Sequence, residues 1–366
     1  MADLLTPFWA QPEQRPDWQG RAWETVMGQA RRGRLMARLA LKLSEMPGGL
    51  DAVPSPQRGF LQGALRVVHR HRLDVLFELD QMRRSMQGVP GPIVLLKGAA
   101  YLAADLPAAR GRVFSDIDLM VAEGSLEQAE SALLGGGWIS QERDAYNQRY
   151  YRQWMHEIPP LEHVQRGTVL DLHHTISPPT SRFKVDGHAL LARARPLGDS
   201  GFHVLAPEDM VLHSAVHLYQ EGELDHGMRD LLDLHELLQD FGKDPAFWPT
   251  LIARAEELSL GEPLSVLLTQ RQRLLGIEPP ADQAAPLKAF EPPWPRRQLM
   301  QGLLALALRP QHPDCDTWLS RCARRALYLR SHLIRMPLHL LVPHLVRKAW
   351  MARMSAAAPA PNEGTA

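Results

Sequence analysis

The sequence has few cysteines, no long apolar run and no excess of charge of either sign. Its 366 residues include only Cys315 and Cys322, which are too few and wrongly spaced for a disulfide framework or a zinc knuckle. The 41 basic residues equal the 41 acidic ones, so net charge does not indicate a nucleic-acid-binding protein. No uninterrupted apolar stretch of about 18 residues occurs, and the N-terminus lacks the pattern of a signal peptide. We therefore expect a protein of the reducing cytoplasm without a transmembrane segment.

Hydrophobic periodicity, together with glycine and proline breaks, divides the chain into five regions. A core in which short strands and helices alternate is expected between two mainly helical parts. This pattern predicts the α+β class, with a small mixed sheet and flanking helices embedded between helical regions. The predicted regions are an N-terminal helical region (1–90), the core (91–205), a helical domain packing on the core (206–277), a C-terminal basic helical region (278–353) and a disordered tail (354–366).

Three segments of the core predict neighbouring strands of one sheet. Residues 93–97 and 115–121 are short apolar runs that lie on either side of a predicted helix, and residues 168–174 form the second strand of a hairpin. The helix after the second strand is expected to begin with Ser125 as its N-cap. Before the core, residues 20–46 are interpreted as one helical segment.

A pair of aspartates on the second strand carries the strongest chemical signal. Asp116 and Asp118 are two residues apart, so their carboxylates point to the same side of a strand and are expected to be exposed at its end. Two adjacent carboxylates repel each other unless a cation lies between them. Mg²⁺ is the expected ion because it takes hard oxygen ligands and shares them with substrate phosphates, and Mn²⁺ is an alternative. The pattern alone also fits two exposed aspartates without an ion.

The turn before this strand offers groups for a phosphate. Gly98 between strand and helix would let the backbone approach an anion, and Lys97 would add a positive charge. Arg112, four residues before Asp116, could contact a phosphate or could lie in solvent as a loop arginine. Both interpretations of Arg112 remain open at this point.

The segment LLKGAAYLAADLPAARGRVFSDIDLMV (95–121) resembles the signature of the bacterial uncharacterised nucleotidyltransferase family of the polymerase-β-like superfamily. It is also similar to a motif of abortive-infection toxin-type nucleotidyltransferases. The resemblance covers about residues 93–240. It implies a polymerase-β-like core and Mg²⁺-dependent transfer of a nucleotidyl group from a nucleoside triphosphate to an acceptor hydroxyl. The acceptor class stays open between a protein, an RNA and a small molecule.

The resemblance also implies roles for residues beyond the aspartate pair. A third carboxylate is expected on a later strand, and Asp171 supplies it, which makes Asp116, Asp118 and Asp171 the predicted catalytic and metal-binding set. His173 shares a strand face with Asp171, and the alternative for it is a packed or hydrogen-bonding histidine. Nucleotide binding is assigned to Lys97, Gly98, Arg112, Ser115 and Arg229. The helix with Arg229, Asp230 and Asp233 is expected to close the cleft, the alternative being an ion pair between Arg229 and Asp233.

Three further alternatives follow from the sequence. Ala99 replaces the second glycine or serine of related motifs, and the spacer to Asp116 is long. The rival interpretation is therefore an inactive nucleotide-binding or scaffold protein that serves an envelope or exopolysaccharide system. His213 and His217 have a spacing that can bind zinc, although a partly buried polar pair is favoured. Residues 321–353 are basic and amphipathic. They fit a packed helix pair with a solvated basic face, or peripheral contact with a membrane, or RNA binding.

Overall fold

The computed structural model of the protein describes residues 3–11 and 13–357. Helices dominate both ends of the chain, as the hydrophobic periodicity predicts. The α-helices are α1 (Leu5–Ala10), α2 (Arg21–Arg32), α3 (Met36–Glu45), α4 (Ser55–Ser85), α5 (Lys97–Ala103), α6 (Leu126–Gly135), α7 (Ala145–Trp154), α8 (Gly187–Leu191), α9 (Pro207–Gln220), α10 (Gly227–Phe241), α11 (Phe247–Glu257), α12 (Gly261–Leu275), α13 (Ala284–Ala289), α14 (Trp294–Ala307), α15 (Trp318–Arg335) and α16 (Leu338–Ala357).

A seven-stranded mixed sheet lies in the middle of the chain. Its spatial order is β3-β4-β5-β2-β1-β7-β6. Strands β2 and β5 run parallel, as do β1 and β7, while the other neighbouring pairs are antiparallel. The strands are β1 (Val94–Leu95), β2 (Asp116–Met120), β3 (Trp138–Ser140), β4 (Leu161–His163), β5 (Val169–His173), β6 (Arg195–Pro196) and β7 (His203–Val204). The predicted α+β class is therefore confirmed.

The three predicted strands are neighbours in this sheet. Strand β2 lies between β1 and β5, and its pairing with β5 places Asp118 opposite Asp171. The inner residues of β2 are apolar and almost fully buried, with Leu119 and Met120 at 0% exposure. Because both faces of this central strand are covered, its two carboxylates are partly or fully removed from water. The pairing register fixes which polar side chains meet at one end of the sheet.

One local prediction was wrong, and a second was right in position only. The segment from 20 to 46 forms two helices, because Gly33 ends α2 and Arg34 adopts a positive φ of 54° before α3 begins. Ser125 is the N-cap residue of α6, as predicted, but its side chain makes no capping hydrogen bond. Its hydroxyl instead donates to the carbonyl oxygen of Pro90, 3.1 Å away. The hydrogen bond to a residue from another loop therefore replaces local capping.

Helices α9 and α10 follow the sheet and pack against each other beside it. Helix α9 begins at Pro207, where proline sacrifices no helical hydrogen bond, and Glu208 and Asp209 in its first turn interact favourably with the helix dipole. Twelve of its fourteen residues are buried, so this helix lies at the centre of the molecule. It therefore forms a rigid wall for whatever lies at the adjacent edge of the sheet.

The C-terminal region consists of α14, α15 and α16, with α15 packed against α14. Helix α16 extends to Ala357, and the rest of the predicted disordered tail lies outside the described residues. In the part of the chain that the structure describes, every helix is too short or too polar to span a bilayer.

Candidate active site

Three carboxylates meet where β2 and β5 lie side by side. Asp116 and Asp118 come from β2 and Asp171 from β5, and one carboxylate oxygen of each lies within 4.8 Å of the others. The parallel register, which sets Asp118 directly beside Asp171, produces this convergence. The structure thus brings together the three aspartates that the sequence and its resemblance single out.

Asp118 is the most buried of the three, at 5% exposure. Its Oδ1 accepts a hydrogen bond from Lys97 Nζ at 2.9 Å and lies 3.0 Å from Nε2 of His173. Burial alone would raise the pKa of this carboxyl, but Lys97 and His173 hold it well below its usual range. The expectation of an exposed strand-end carboxylate was wrong for Asp118, because helix α5 brings Lys97 over the end of the strand.

Asp171 lies in a different electrostatic environment. Its Oδ1 is buried without a hydrogen-bond partner among the described residues. Burial, together with repulsion from Glu157 and Asp118, raises the pKa of Asp171 to about 7. An unpartnered buried oxygen beside two other carboxylates fits a divalent cation with hard oxygen ligands, such as Mg²⁺ or Mn²⁺. The residues present are therefore suitable ligands for the metal that the aspartate motif implies.

A fourth carboxylate, Glu157, adjoins the site and was not predicted from the sequence. It forms an isolated bridge with His173, and its Oε2 lies 3.5 Å from Nε2 of that histidine. His156, Glu157 and His173 also form a group whose ligand atoms lie within 4.8 Å of one another. The hydrogen bond with Asp118 and the charge of Glu157 outweigh burial and raise the pKa of His173. Glu157 follows α7 in an irregular segment, so no periodic pattern indicated its position.

The turn at Lys97 and Gly98 is tighter than the sequence suggests. Lys97, rather than the glycine, has the positive φ of 44°. A Cβ atom at Gly98 would lie 1.8 Å from Nη1 of Arg112 and 2.7 Å from the ring of Phe114. Gly98 is thus required here because the Arg112 guanidinium passes directly over the start of α5.

Arg112 is a buried side chain, so the alternative of a loop arginine in solvent was wrong. Its Nε donates to Asp233 Oδ2 at 2.7 Å, and Arg38 Nη2 donates to the other oxygen of the same carboxylate at 2.5 Å. Asp233 therefore lies between two arginines from distant parts of the chain. The predicted alternative pair of Arg229 with Asp233 was also wrong, because Arg229 instead contacts Asp230 at 2.7 Å.

A cleft of about 280 Å³ is lined by Asp116 and Asp118, whereas Asp171 is not among its lining residues. Its walls come from β2, from helices α5, α9 and α10, and from the turn between α2 and α3. Lys97, Gly98, Arg112, Ser115 and Arg229, the predicted nucleotide-binding residues, all line it. The Ser115 hydroxyl lies 3.2 Å from Asp116 Oδ1.

Arg34 also lines the cleft, and the sequence did not indicate a role for it. It is exposed and makes no ion pair within the described chain. Its left-handed backbone, which directs the chain from α2 into α3, places it at the cleft. The N-terminal helices therefore contribute a free cation to the site, which the separate regions seen in the sequence did not suggest.

The two histidines of α9 form a polar pair beside the cleft. His213 is 2% exposed, and its ring centroid lies 6.4 Å from that of His217, which lines the cleft. Burial and the nearby Lys97 charge lower both pKa values well below the ordinary value, so both rings are neutral. Among the described residues, neither belongs to a group of three metal-ligating side chains. This geometry agrees with the favoured interpretation and not with a zinc site.

Comparison with known proteins gives one match. The sequence profile of the family described as uncharacterised nucleotidyltransferase matches residues 19–276, which include the sheet, the three aspartates and the cleft. No curated protein and no solved structure matches the chain.

Proposed function

This chain belongs to the uncharacterised nucleotidyltransferase family, and from that premise we propose that it transfers a nucleotidyl group from a nucleoside triphosphate to an acceptor hydroxyl. The acceptor oxygen would form a bond to the α-phosphorus, and the bond from that phosphorus to the β-phosphate would break and release pyrophosphate. The observation that carries the proposal is the convergence of Asp116, Asp118 and Asp171 within 4.8 Å, with the first two lining a cleft that also holds cationic side chains. Metal-binding carboxylates next to phosphate-binding cations are the parts that phosphoryl-transfer chemistry requires. The proposed acceptor is a hydroxyl group of a protein, an RNA or a small molecule.

Asp116, Asp118 and Asp171 are the proposed ligands of Mg²⁺, and Mn²⁺ would suit the same oxygen donors. When bound, such an ion orients the triphosphate, lowers the pKa of the acceptor hydroxyl and stabilises the charge that develops at phosphorus.

The neighbouring side chains prepare the carboxylates for this role. Lys97 and His173 both contact Asp118 Oδ1, so they keep that carboxylate ionised and fix its orientation. Its second oxygen makes no hydrogen bond in the described structure and is free to serve as a ligand. The family resemblance gives the third carboxylate, Asp171, a share in deprotonating the acceptor hydroxyl beside its role as a ligand.

Arginines around the cleft are proposed to hold the phosphates. Arg34 precedes the sheet in the sequence and Arg229 follows it, and both line the cleft. A guanidinium can donate two parallel hydrogen bonds to a phosphate. Arg112 has a buried Nη1 without a partner among the described residues, while its Nε is held by Asp233. The buried helix α9 excludes water from one side of the cleft. These features support binding of a polyanion in a defined orientation.

The rival interpretation of an inactive protein rests on the long spacer before Asp116 and on Ala99. That residue is 1% exposed and is not among the residues that line the cleft. A missing hydroxyl at this buried position removes no group from the proposed phosphate site, so this observation favours the active enzyme. We also propose that the reaction takes place in the cytoplasm, where nucleoside triphosphates are available and the free thiols of Cys315 and Cys322 stay reduced.

The test uses nucleoside triphosphates labelled at either the α- or the γ-phosphate. Purified protein is incubated with each triphosphate, Mg²⁺ and cell extract, and labelled products are separated by class. We expect label from the α-position only, abolished by EDTA and by Asp116→Asn and retained in Asp199→Asn, an exposed aspartate outside the cleft. Asp116 is the better target because Asp118 is buried and its loss would also destabilise the fold. Transfer of γ-label would indicate a phosphotransferase, and no transfer of either label would overturn the proposal.

A further inference from the structure

The last two helices expose apolar faces that no other part of the described chain covers. Helix α15 buries one face, which includes Ala323, Leu327 and Ile334. A second face points to solvent and repeats at intervals of three and four residues, the spacing of a continuous helical stripe. Its members are Leu319, Cys322, Ala326, Leu329 and Leu333.

Helix α16 has the same organisation. Its inner face holds Leu341 and His344, and the ring of His344 stacks on that of Tyr150 with centroids 4.3 Å apart. The opposite face is apolar and exposed, with Val346 at 65% and Trp350 at 59% exposure. The exposed stripe of this helix consists of Leu338, Val342, Leu345, Val346 and Trp350. Each helix is thus anchored by one face and leaves an apolar stripe on the other.

This concentration of apolar surface is unusual within the molecule. Half of the large apolar side chains that are exposed in the described structure belong to residues 318–350. Isolated exposed apolar residues need no explanation, but a grouped set marks an interaction surface. The sequence alone favoured a solvated basic face for this region, and the structure shows that the solvated face is largely apolar.

The charges on the same helices have one sign. Residues 317–357 contain no aspartate or glutamate. Arg321 and Arg325 on α15 and Lys348 on α16 are exposed and form no ion pair within the described residues. Arg321 and Arg325 follow Trp318 by three and seven residues, so these cations flank the apolar stripe on one side of the helix. The surface therefore combines aliphatic side chains with unneutralised positive charge.

We propose that the exposed faces of α15 and α16 bind the surface of an anionic lipid bilayer. An amphipathic helix lies in the membrane interface when its apolar face enters the acyl boundary and its basic residues contact lipid phosphates. A second copy of this chain is a poorer partner, because two surfaces without acidic residues would repel each other. Nucleic acid would match the charge but would leave the aliphatic stripes exposed to water.

The test measures co-sedimentation of the full chain with two kinds of vesicle, one of phosphatidylcholine alone and one of phosphatidylcholine and phosphatidylglycerol in equal parts. We expect binding to the anionic vesicles, weakened in about 1 M salt, where the Debye length falls to about 3 Å. Combining Leu329→Ser with Leu333→Ser should weaken binding by at least about tenfold, or about 1.4 kcal/mol, because both side chains lose their insertion into the bilayer. Combining Arg321→Gln with Arg325→Gln should weaken binding to anionic vesicles by about fivefold per charge.

The matched control is Phe77→Ser, which removes a side chain of 53% exposure on helix α4, outside the proposed surface. Its vesicle binding should equal that of the unaltered chain. Because all the altered side chains are exposed, we expect each variant to fold like the unaltered chain. An unchanged thermal unfolding transition will verify this. Failure to bind anionic vesicles, or equal loss of binding in Phe77→Ser, would overturn the proposal. So would a lipid-free dimer abolished by the leucine substitutions, since it would assign the surface to self-association. Retained nucleotidyl transfer in the leucine variant would show that the surface and the active site act independently.

Discussion

Asp171→Asn should make the metal-free protein more stable while removing its metal site. The carboxyl of Asp171 has an ordinary pKa of 3.8, which burial and repulsion from Glu157 and Asp118 raise to about 7 in the folded protein. The folded state therefore holds this proton more tightly than the unfolded state. The stability contributed by this group is greatest below pH 3.8 and is lost as the pH rises through about 7.

The size of the effect follows from the same values. The increase of the Asp171 pKa from 3.8 to about 7 reflects the cost of ionising this carboxyl in the folded protein. At about 1.4 kcal/mol per pKa unit, ionised Asp171 lowers the unfolding free energy by at most about 4 kcal/mol above about pH 8. An asparagine removes this charge, but its buried amide lacks an ideal hydrogen-bond partner. That lack costs about 1–3 kcal/mol and offsets part of the gain in stability. We therefore expect Asp171→Asn to exceed the unaltered protein in stability by about 1–3 kcal/mol at about pH 8 in EDTA.

Urea unfolding followed by tryptophan fluorescence measures this difference at about pH 5 and about pH 8. Asp199→Asn, at an exposed site, should not change the stability. With saturating Mg²⁺ the order should reverse, because the cation stabilises the unaltered protein and finds no third carboxylate in the variant. If Asp171→Asn is less stable than the unaltered protein in EDTA at about pH 8, the three carboxylates are not in electrostatic conflict and the argument for a cation site fails.

Three further substitutions test the rest of the site. Asp233→Asn should cost about 3–5 kcal/mol in urea unfolding, because two buried arginines lose their shared carboxylate. Asp230→Asn should cost less, because its carboxylate pairs with one arginine only and both side chains are more exposed; equal costs would contradict the central role of Asp233. Gly98→Ala should weaken triphosphate binding in calorimetry, because the added Cβ would lie 1.8 Å from the Arg112 guanidinium and displace it. Gly63→Ala, on open helix surface, should leave binding unchanged. Equal affinities of the two variants would contradict this reasoning. Arg229→Ala should weaken triphosphate binding by far more than the few tenths of a kcal/mol that an ion pair on a helix surface contributes; unchanged binding would leave this helix with a structural role only.

The sequence by itself determined the elements that carry the chemistry. Strand alternation with glycine and proline breaks predicted the three central strands, since side-chain period and turn chemistry are local properties. The Asp116 and Asp118 pair could be recognised for the same reason, because two residues on one strand face need no tertiary information. The α+β class and the family followed from these local signals together with the motif resemblance.

The tertiary structure alone decided which charges meet. Glu157 joins the site through a bridge to His173. Arg34 lines the cleft from the turn between α2 and α3, and Arg38 of α3 pairs with Asp233. Asp233 pairs with arginines 121 and 195 residues away instead of with its neighbour on the same helix. Ion pairs of this kind depend on which elements pack together and on how far packing removes the charges from water. No local spacing in the chain encodes either quantity, so the burial and the partners of each charged group emerge only in the folded protein.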